Sequence, residues 1–215
     1  EKPTLLSHYD TLEYATGIAV SGNIAFVANR VHGIDFVDVS NLAKPLHIST
    51  LRVGEAQSVV ARNGYLYVGV WGTQELVVCD VSNPRKPRVI GRAPLDGNGD
   101  GVALQGKYCY VATGHNSRME TNTKREEKKS KNRAGVSDKT IGHGHGLEIF
   151  DVSVPENPKF VSRLKTPPYF KAFMDMWYVD VAGKYAYLSD TFNGVFVIDV
   201  SNPENPRCIA HRQLP

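Results

Sequence analysis

The sequence predicts an all-β fold: a β-propeller of four four-stranded antiparallel blades plus a leading outer strand. Three observations predict it. One phrase recurs along the 215 residues, as DVSNLAKPLHIS from Asp38, DVSNPRKPRVIG from Asp80, DVSVPENPKFVS from Asp151 and DVSNPENPRCIA from Asp199. Apolar residues alternate over short runs rich in Val, Ile, Phe and Tyr, the period of strands rather than helices. The spacing is near-regular: 42 residues from Pro3 to Pro45, 42 from Pro45 to Pro87, 71 from Pro87 to Pro158 and 48 from Pro158 to Pro206. Four strands in a unit of about 40 residues is the signature of a propeller blade.

The elements follow in order. EKPTLLSHY, at the start, reads as the second half of a further copy. Pro3–Tyr9 is therefore expected to be an outer strand whose own inner strands lie elsewhere, and the chain an open fragment of a larger propeller. Residues 1–215 form a single propeller segment. Its blades span about 10–51, 52–93, 94–166 and 167–215, with a polar insertion at 116–142 in the third. Within the first repeat, GIAVS, IAFVAN, IDFVDV and LHIST are the four strands. Gly22-Asn23 joins the first two, and Asn63-Gly64, Gly106-Lys107 and Gly183-Lys184 take that place later. Such pairs make two-residue hairpin turns, where Gly or Asn supplies a positive φ. The DVSNP segment is the second turn: its Asp, Ser and Asn bond nearby amides and its Pro pre-sets φ.

Composition narrows the function classes. With 41% hydrophobic residues the chain can bury a sizeable core. No apolar run reaches the length of a membrane span. Cys79, Cys109 and Cys208 fall in different repeats, without the paired spacing of a zinc site or a disulfide framework, and read as small apolar strand residues. The formal charge of +3 is local in origin. Ser117–Thr140 holds eight Lys/Arg against four Asp/Glu, so the rest of the chain is slightly acidic. A nucleic-acid-binding body would show a basic face, so nucleic acid is an unlikely partner.

The phrases GLEIFDVSVPENP, GVFVIDVSNPENP and ELVVCDVSNPRKP resemble the LVIVD-repeat β-propeller family over almost the whole chain except Ser117–Thr140. The resemblance implies the fold and a cell-surface, extracellular or periplasmic setting. It brings no general catalytic motif.

Candidate sites gather on one face. The loops after the second strands and the links between blades share it, and propeller mouths favour ligands. The loop candidates are Arg30, His32, Trp71 and Asp190. The links contribute Tyr14, Gln57, Asp100, Tyr169 and Trp177, several of which ring the central opening. Pro167–Trp177 is rich in aromatics, suited either to stacking sugar rings or to a small satellite core. His115, His143 and His145 flank the insertion as GHN and GHGHG. Brought together by a loop that closes on itself, three imidazoles could hold a divalent transition metal or supply a general base. The insertion itself is too polar to fold alone.

Two functions follow. The first is a non-enzymatic binding or scaffold propeller for a glycan or protein ligand, with the remaining blades of the same chain as further partners. The alternative is a polysaccharide lyase or hydrolase acting on an anionic glycan, with His115, His143, His145, Arg30 and Tyr14 as candidate groups. No G-x-S-x-G, H-E-x-x-H or phosphate loop is present.

Overall fold

A computed structural model describes residues 2–114, 145–166, 176–190 and 193–213. Its sixteen strands form four antiparallel sheets, each of four strands in sequence order. Blade 1 holds β1 (Gly17–Ser21), β2 (Ile24–Ala28), β3 (Ile34–Asp38) and β4 (Leu46–Leu51). Blade 2 holds β5 (Ala56–Arg62), β6 (Tyr65–Val70), β7 (Glu75–Asp80) and β8 (Arg88–Pro94). Blade 3 holds β9 (Asn98–Gln105), β10 (Tyr108–Gly114), β11 (Gly146–Asp151) and β12 (Lys159–Lys165). Blade 4 holds β13 (Tyr178–Ala182), β14 (Tyr185–Asp190), β15 (Gly194–Asp199) and β16 (Arg207–Arg212). Among the described residues no helix is long and apolar enough to cross a membrane.

Local chemistry sets the blade outline. The hairpin glycines Gly22, Gly106 and Gly183, and both Asn63 and Gly64, have positive φ, as a two-residue turn requires. In the DVSNP turns the carboxylates of Asp38, Asp80, Asp151 and Asp199 each accept the amide two residues on, at 2.8, 3.0, 2.9 and 2.9 Å. All four carboxyls are held below their ordinary range. The Ser82 hydroxyl is the main cause at Asp80 and the Lys107 ammonium at Asp151, and both are lowered to about 2.

Beyond that turn the third and fourth strands pair with the same irregularity in every blade. The register shifts between Phe36 and Val37, Val78 and Cys79, Ile149 and Phe150, and Val197 and Ile198. The residues left without a partner across the ladder are Ile48, Ile90, Val161 and Ile209, one β-branched residue per blade. A bulge of this kind re-aims a side chain. Ile48, Ile90 and Val161 pack into the apolar seam between their own blade and the next.

Three seams hold the core. Phe26, Ile34 and Phe36 meet Val59, Leu66 and Val77 between blades 1 and 2. Tyr67, Leu76 and Val78 meet Val102, Val111 and Phe150 between blades 2 and 3. Tyr110, Leu147 and Ile149 meet Val179, Leu188 and Ile198 between blades 3 and 4. A polar strap runs beside them. The Ser49 hydroxyl donates to the Pro84 carbonyl at 2.6 Å, and Ser162 to the Pro203 carbonyl at 2.5 Å, each on the next blade's DVSNP turn. Blade 2 has Gly91 in this place, where a Cβ would stand 2.6 Å from the Pro155 carbonyl oxygen.

The leading segment departs from the expectation. Residues 2–16 contain no strand. Among the described residues Pro3–Tyr9 joins no ladder, and side chains hold it instead. Ser7 donates to the Leu42 carbonyl at 2.6 Å. Tyr9 packs beside Ala25, Val27 and Val37 on the outer face of blade 1.

Two outcomes are expected. Gly91→Val forces blade 2 off the Pro155 turn and costs about 1–3 kcal/mol in urea unfolding, as overpacking does. For the turn carboxylates, the unfolded chain takes up protons near the ordinary pKa of about 3.9, while folded Asp80 and Asp151 resist until about 2. Their contribution is complete above the unfolded value and lost as pH falls through the folded one. Urea midpoints therefore fall across that interval, and Asp80→Asn flattens the fall.

Candidate functional site

The inner strands β1, β5, β9 and β13 line a central cavity of about 630 Å³. Counted back from the hairpin turns, Thr16, Gln57, Asp100 and Trp177 hold the same place in the four blades. Thr16, Gln57 and Trp177 line the cavity. The Thr16 hydroxyl reaches the carbonyl of Ala56, the residue before Gln57, at 3.2 Å. Gln57 is buried, and its Oε1 accepts no hydrogen bond from the described residues. Trp177 remains 44% exposed at the rim. Asp100 is fully buried. Equivalent positions thus carry an exposed aromatic, two polar groups at the cavity wall and a buried acid.

The loop candidates sort by seam. Between blades 1 and 2, Arg30 has a φ of 42° and its guanidinium pairs with the Glu55 carboxylate. The Arg30 carbonyl accepts the Ala56 amide at 3.0 Å, and the Glu55 carbonyl accepts the Trp71 amide at 2.9 Å. Arg30, Glu55 and Trp71 are therefore neighbours, and the arginine already holds an anion. Tyr14 lies exposed on the link before β1. His32 sits apart from them, with Nε2 4.0 Å from the buried carboxylate of Asp35. Asp35 also receives Asn29 at 3.1 Å and Thr50 at 2.7 Å, and His47 Nε2 stands 3.9 Å away.

Between blades 3 and 4, His145 is fully buried with Nε2 3.7 Å from Asp190. The other Asp190 oxygen accepts the Asn193 amide at 2.9 Å and its side-chain amide at 3.0 Å. His145 is thus held beside a fixed carboxylate. His115, His143, Tyr169 and the 116–142 insertion lie outside the described residues. Among the described residues, no three His, Cys, Asp or Glu side chains form a group that could hold a metal.

Sequence reasoning missed a charged cluster at the seam of blades 2 and 3. Glu148, fully buried in β11, accepts the Asp96 amide at 2.6 Å and the Arg163 guanidinium at 3.0 Å. Lys165 reaches Asp96 at 2.5 Å. The signal was present: Glu148 and Asp35 hold the same position of the third strand, where an acid interrupts an apolar run, while blades 2 and 4 have Val77 and Phe196 there. The cysteines behave as apolar residues. Cys79 and Cys109 are fully buried, and burial pushes both thiols up, Cys79 to about 12.

Arg163→Met leaves the Glu148 carboxylate buried without its cation and is expected to lower stability by about 3 kcal/mol. The double change Glu148→Val, Arg163→Met restores most of it, since Val77 fills that slot in blade 2. Urea unfolding of the three chains measures the difference.

Known proteins now place the architecture. The LVIVD repeat matches residues 13–51, 53–93, 96–117 and 175–210, well over half of the chain. No curated protein matches it. Among solved structures, the chain is similar to the computationally designed Ika4 protein at 9% identity and a TM-score of 0.56, covering 92% of this chain and 98% of that one. It is similar to the computationally designed Ika8 protein at 9% identity and a TM-score of 0.57, covering 93% of this chain and 50% of that one, so it spans half of Ika8. Four sheets in sequence order, three repeated seams and four matched repeats make this chain a member of the LVIVD-repeat family, folded as a β-propeller module.

Proposed function

We propose that this propeller is a binding module and that its ligand, a glycan, is held at the mouth of the central cavity with Trp177 as the stacking platform. The observation that carries the reading is the exposed indole of Trp177 at the rim of a cavity whose wall includes Thr16 and Gln57. A large aromatic face supplies contact area at low conformational cost. A few fixed polar groups then set orientation, the usual division of labour in a ligand pocket. A hydroxyl and an amide suit the hydroxyls of a sugar, and neither demands a charged ligand. A setting outside the cytoplasm goes with this reading, through the family resemblance.

The lyase or hydrolase reading asks for an imidazole or carboxylate facing the bound polymer. His145, the described member of the histidine group, is fully buried against Asp190, which favours a fixed, structural imidazole.

Trp71 and Trp177 are the two tryptophans, so fluorescence reports on the site directly. Titration with neutral and uronate-containing oligosaccharides is expected to shift the emission of the native chain. Trp177→Ala weakens binding at least about tenfold, near 1.4 kcal/mol, while Trp71→Ala retains it. Equal affinity in Trp177→Ala, or no response to any sugar, defeats the proposal. An ultraviolet-absorbing double bond appearing in the uronate samples would mean elimination, and turnover in place of binding.

A further inference from the structure

The inner strand of blade 2 breaks step where it enters the cavity. Ala56 pairs with Val70 and Ser58 with Gly69, so Gln57 has no partner on β6. Regular pleating would send Gln57 and Ser58 to opposite faces of the sheet. A bulge re-aims a side chain, and here both residues line the cavity. The neighbouring blades hold this step from either side. The Thr16 hydroxyl of the blade 1 link reaches the Ala56 carbonyl at 3.2 Å, and the Val102 amide of β9 donates to the Ser58 hydroxyl oxygen at 3.3 Å. Gln57 and Ser58 are therefore interior to the array, between blades 1 and 3.

Their hydrogen-bonding capacity is only half used. Gln57 is 7% exposed, and its Oε1 accepts no hydrogen bond among the described residues. A buried acceptor without a donor is destabilising, so folding stability does not account for this glutamine. Ser58 uses its oxygen to accept from Val102, and among the described residues its own proton goes to no acceptor. The cavity wall thus offers one acceptor and, on the next residue, one donor. The groups found on sugars meet such a pair differently. A carboxylate only accepts and leaves Gln57 unmet. An ammonium only donates and leaves Ser58 unmet. A hydroxyl meets both only where the two bonds converge on a single oxygen. A secondary amide brings one N–H and one carbonyl on separate atoms, the complement of both side chains.

We propose that the group entering the cavity is the acetamido group of an N-acetylated sugar. Its N–H donates to Gln57 Oε1, its carbonyl accepts the Ser58 hydroxyl, and the sugar ring lies against Trp177 at the rim. The proposal rests on the glycan reading above and names the class of sugar. It assigns the bulge a purpose: the break in pairing at Gln57 is what brings two successive side chains to one wall. A site whose buried polar groups are met by one substituent rejects the analogue that lacks it, because those groups are then left unpaired.

Calorimetric titration of the full chain tests this, with oligomers of N-acetylglucosamine, glucosamine and glucose of equal length. The acetylated oligomer is expected to bind about tenfold more tightly than either of the others, the size of one to two buried hydrogen bonds. Gln57→Leu brings that ratio close to one, and Ser58→Ala lowers it about threefold. Urea unfolding checks the fold of the variants. Gln57→Leu removes an unmet acceptor, so its midpoint is expected at or above that of the native chain. Equal binding of the three oligomers by the native chain overturns the acetamido assignment and leaves the glycan reading standing. A full preference retained in Gln57→Leu does the same. A midpoint well below the native one in Gln57→Leu gives the glutamine to stability and also overturns the assignment. Binding of none of the oligomers overturns the glycan reading and this inference together.

Discussion

A four-stranded sheet that is apolar on both faces cannot be stable alone, and every other feature of this chain answers that constraint. In blade 2, Val77 and Cys79 point to blade 1 while Leu76 and Val78 point to blade 3. A strand buried on both sides reads as a near-continuous apolar run, which is why ELVVC lacks the polar alternation of a surface strand. The seam, rather than the blade, is the unit of stability, as nearest-neighbour contact is in repeat proteins generally. The bulge in each fourth strand belongs to the seam. Regular pairing would share its residues evenly between the two faces, whereas the added β-branched residue gives the next blade extra apolar surface.

The DVSNP turn has two jobs that meet in one short segment. Its carboxylate closes the turn on itself through the serine two residues on. Its fifth residue turns a carbonyl toward the strand of the preceding blade, where Ser49 and Ser162 find it. The repetition of the phrase follows from both: the first fixes the residue types, and the second fixes their distance from the small residue four places beyond Pro45, Pro87 or Pro158. Glycine at position 91 shows that the approach of backbone to backbone matters more than the hydrogen bond.

Strands and hairpin turns were legible in the sequence because each rests on residues within one repeat of one another. The leading strand was legible only as a phrase. Pro3–Tyr9 has the letters of an outer strand, but a strand exists by pairing, and its partners are not within reach. The carboxylate cluster around Glu148 was hidden for the opposite reason. Its members, Asp96, Glu148, Arg163 and Lys165, are scattered over three elements and meet only at a seam. The candidate ring at the cavity was legible only as a set of equivalent positions. What each member does there depends on the width of the opening and on which side chain the neighbouring blade covers.

That ring shows how an internally repeated fold acquires a site. The positions of Thr16, Gln57, Asp100 and Trp177 are equivalent, set by the same count from the same turn, yet no two carry the same residue. The seam slots behave otherwise: Phe26, Tyr67 and Tyr110 are all large aromatics, and Val59, Val102 and Val179 are all valines. At these two slots the neighbour is itself repeated, and the chemistry repeats with it. A position facing the cavity has no repeated neighbour to match, and packing leaves it open to vary from blade to blade. Variation at the cavity positions therefore marks where the chain has no repeat of its own to match.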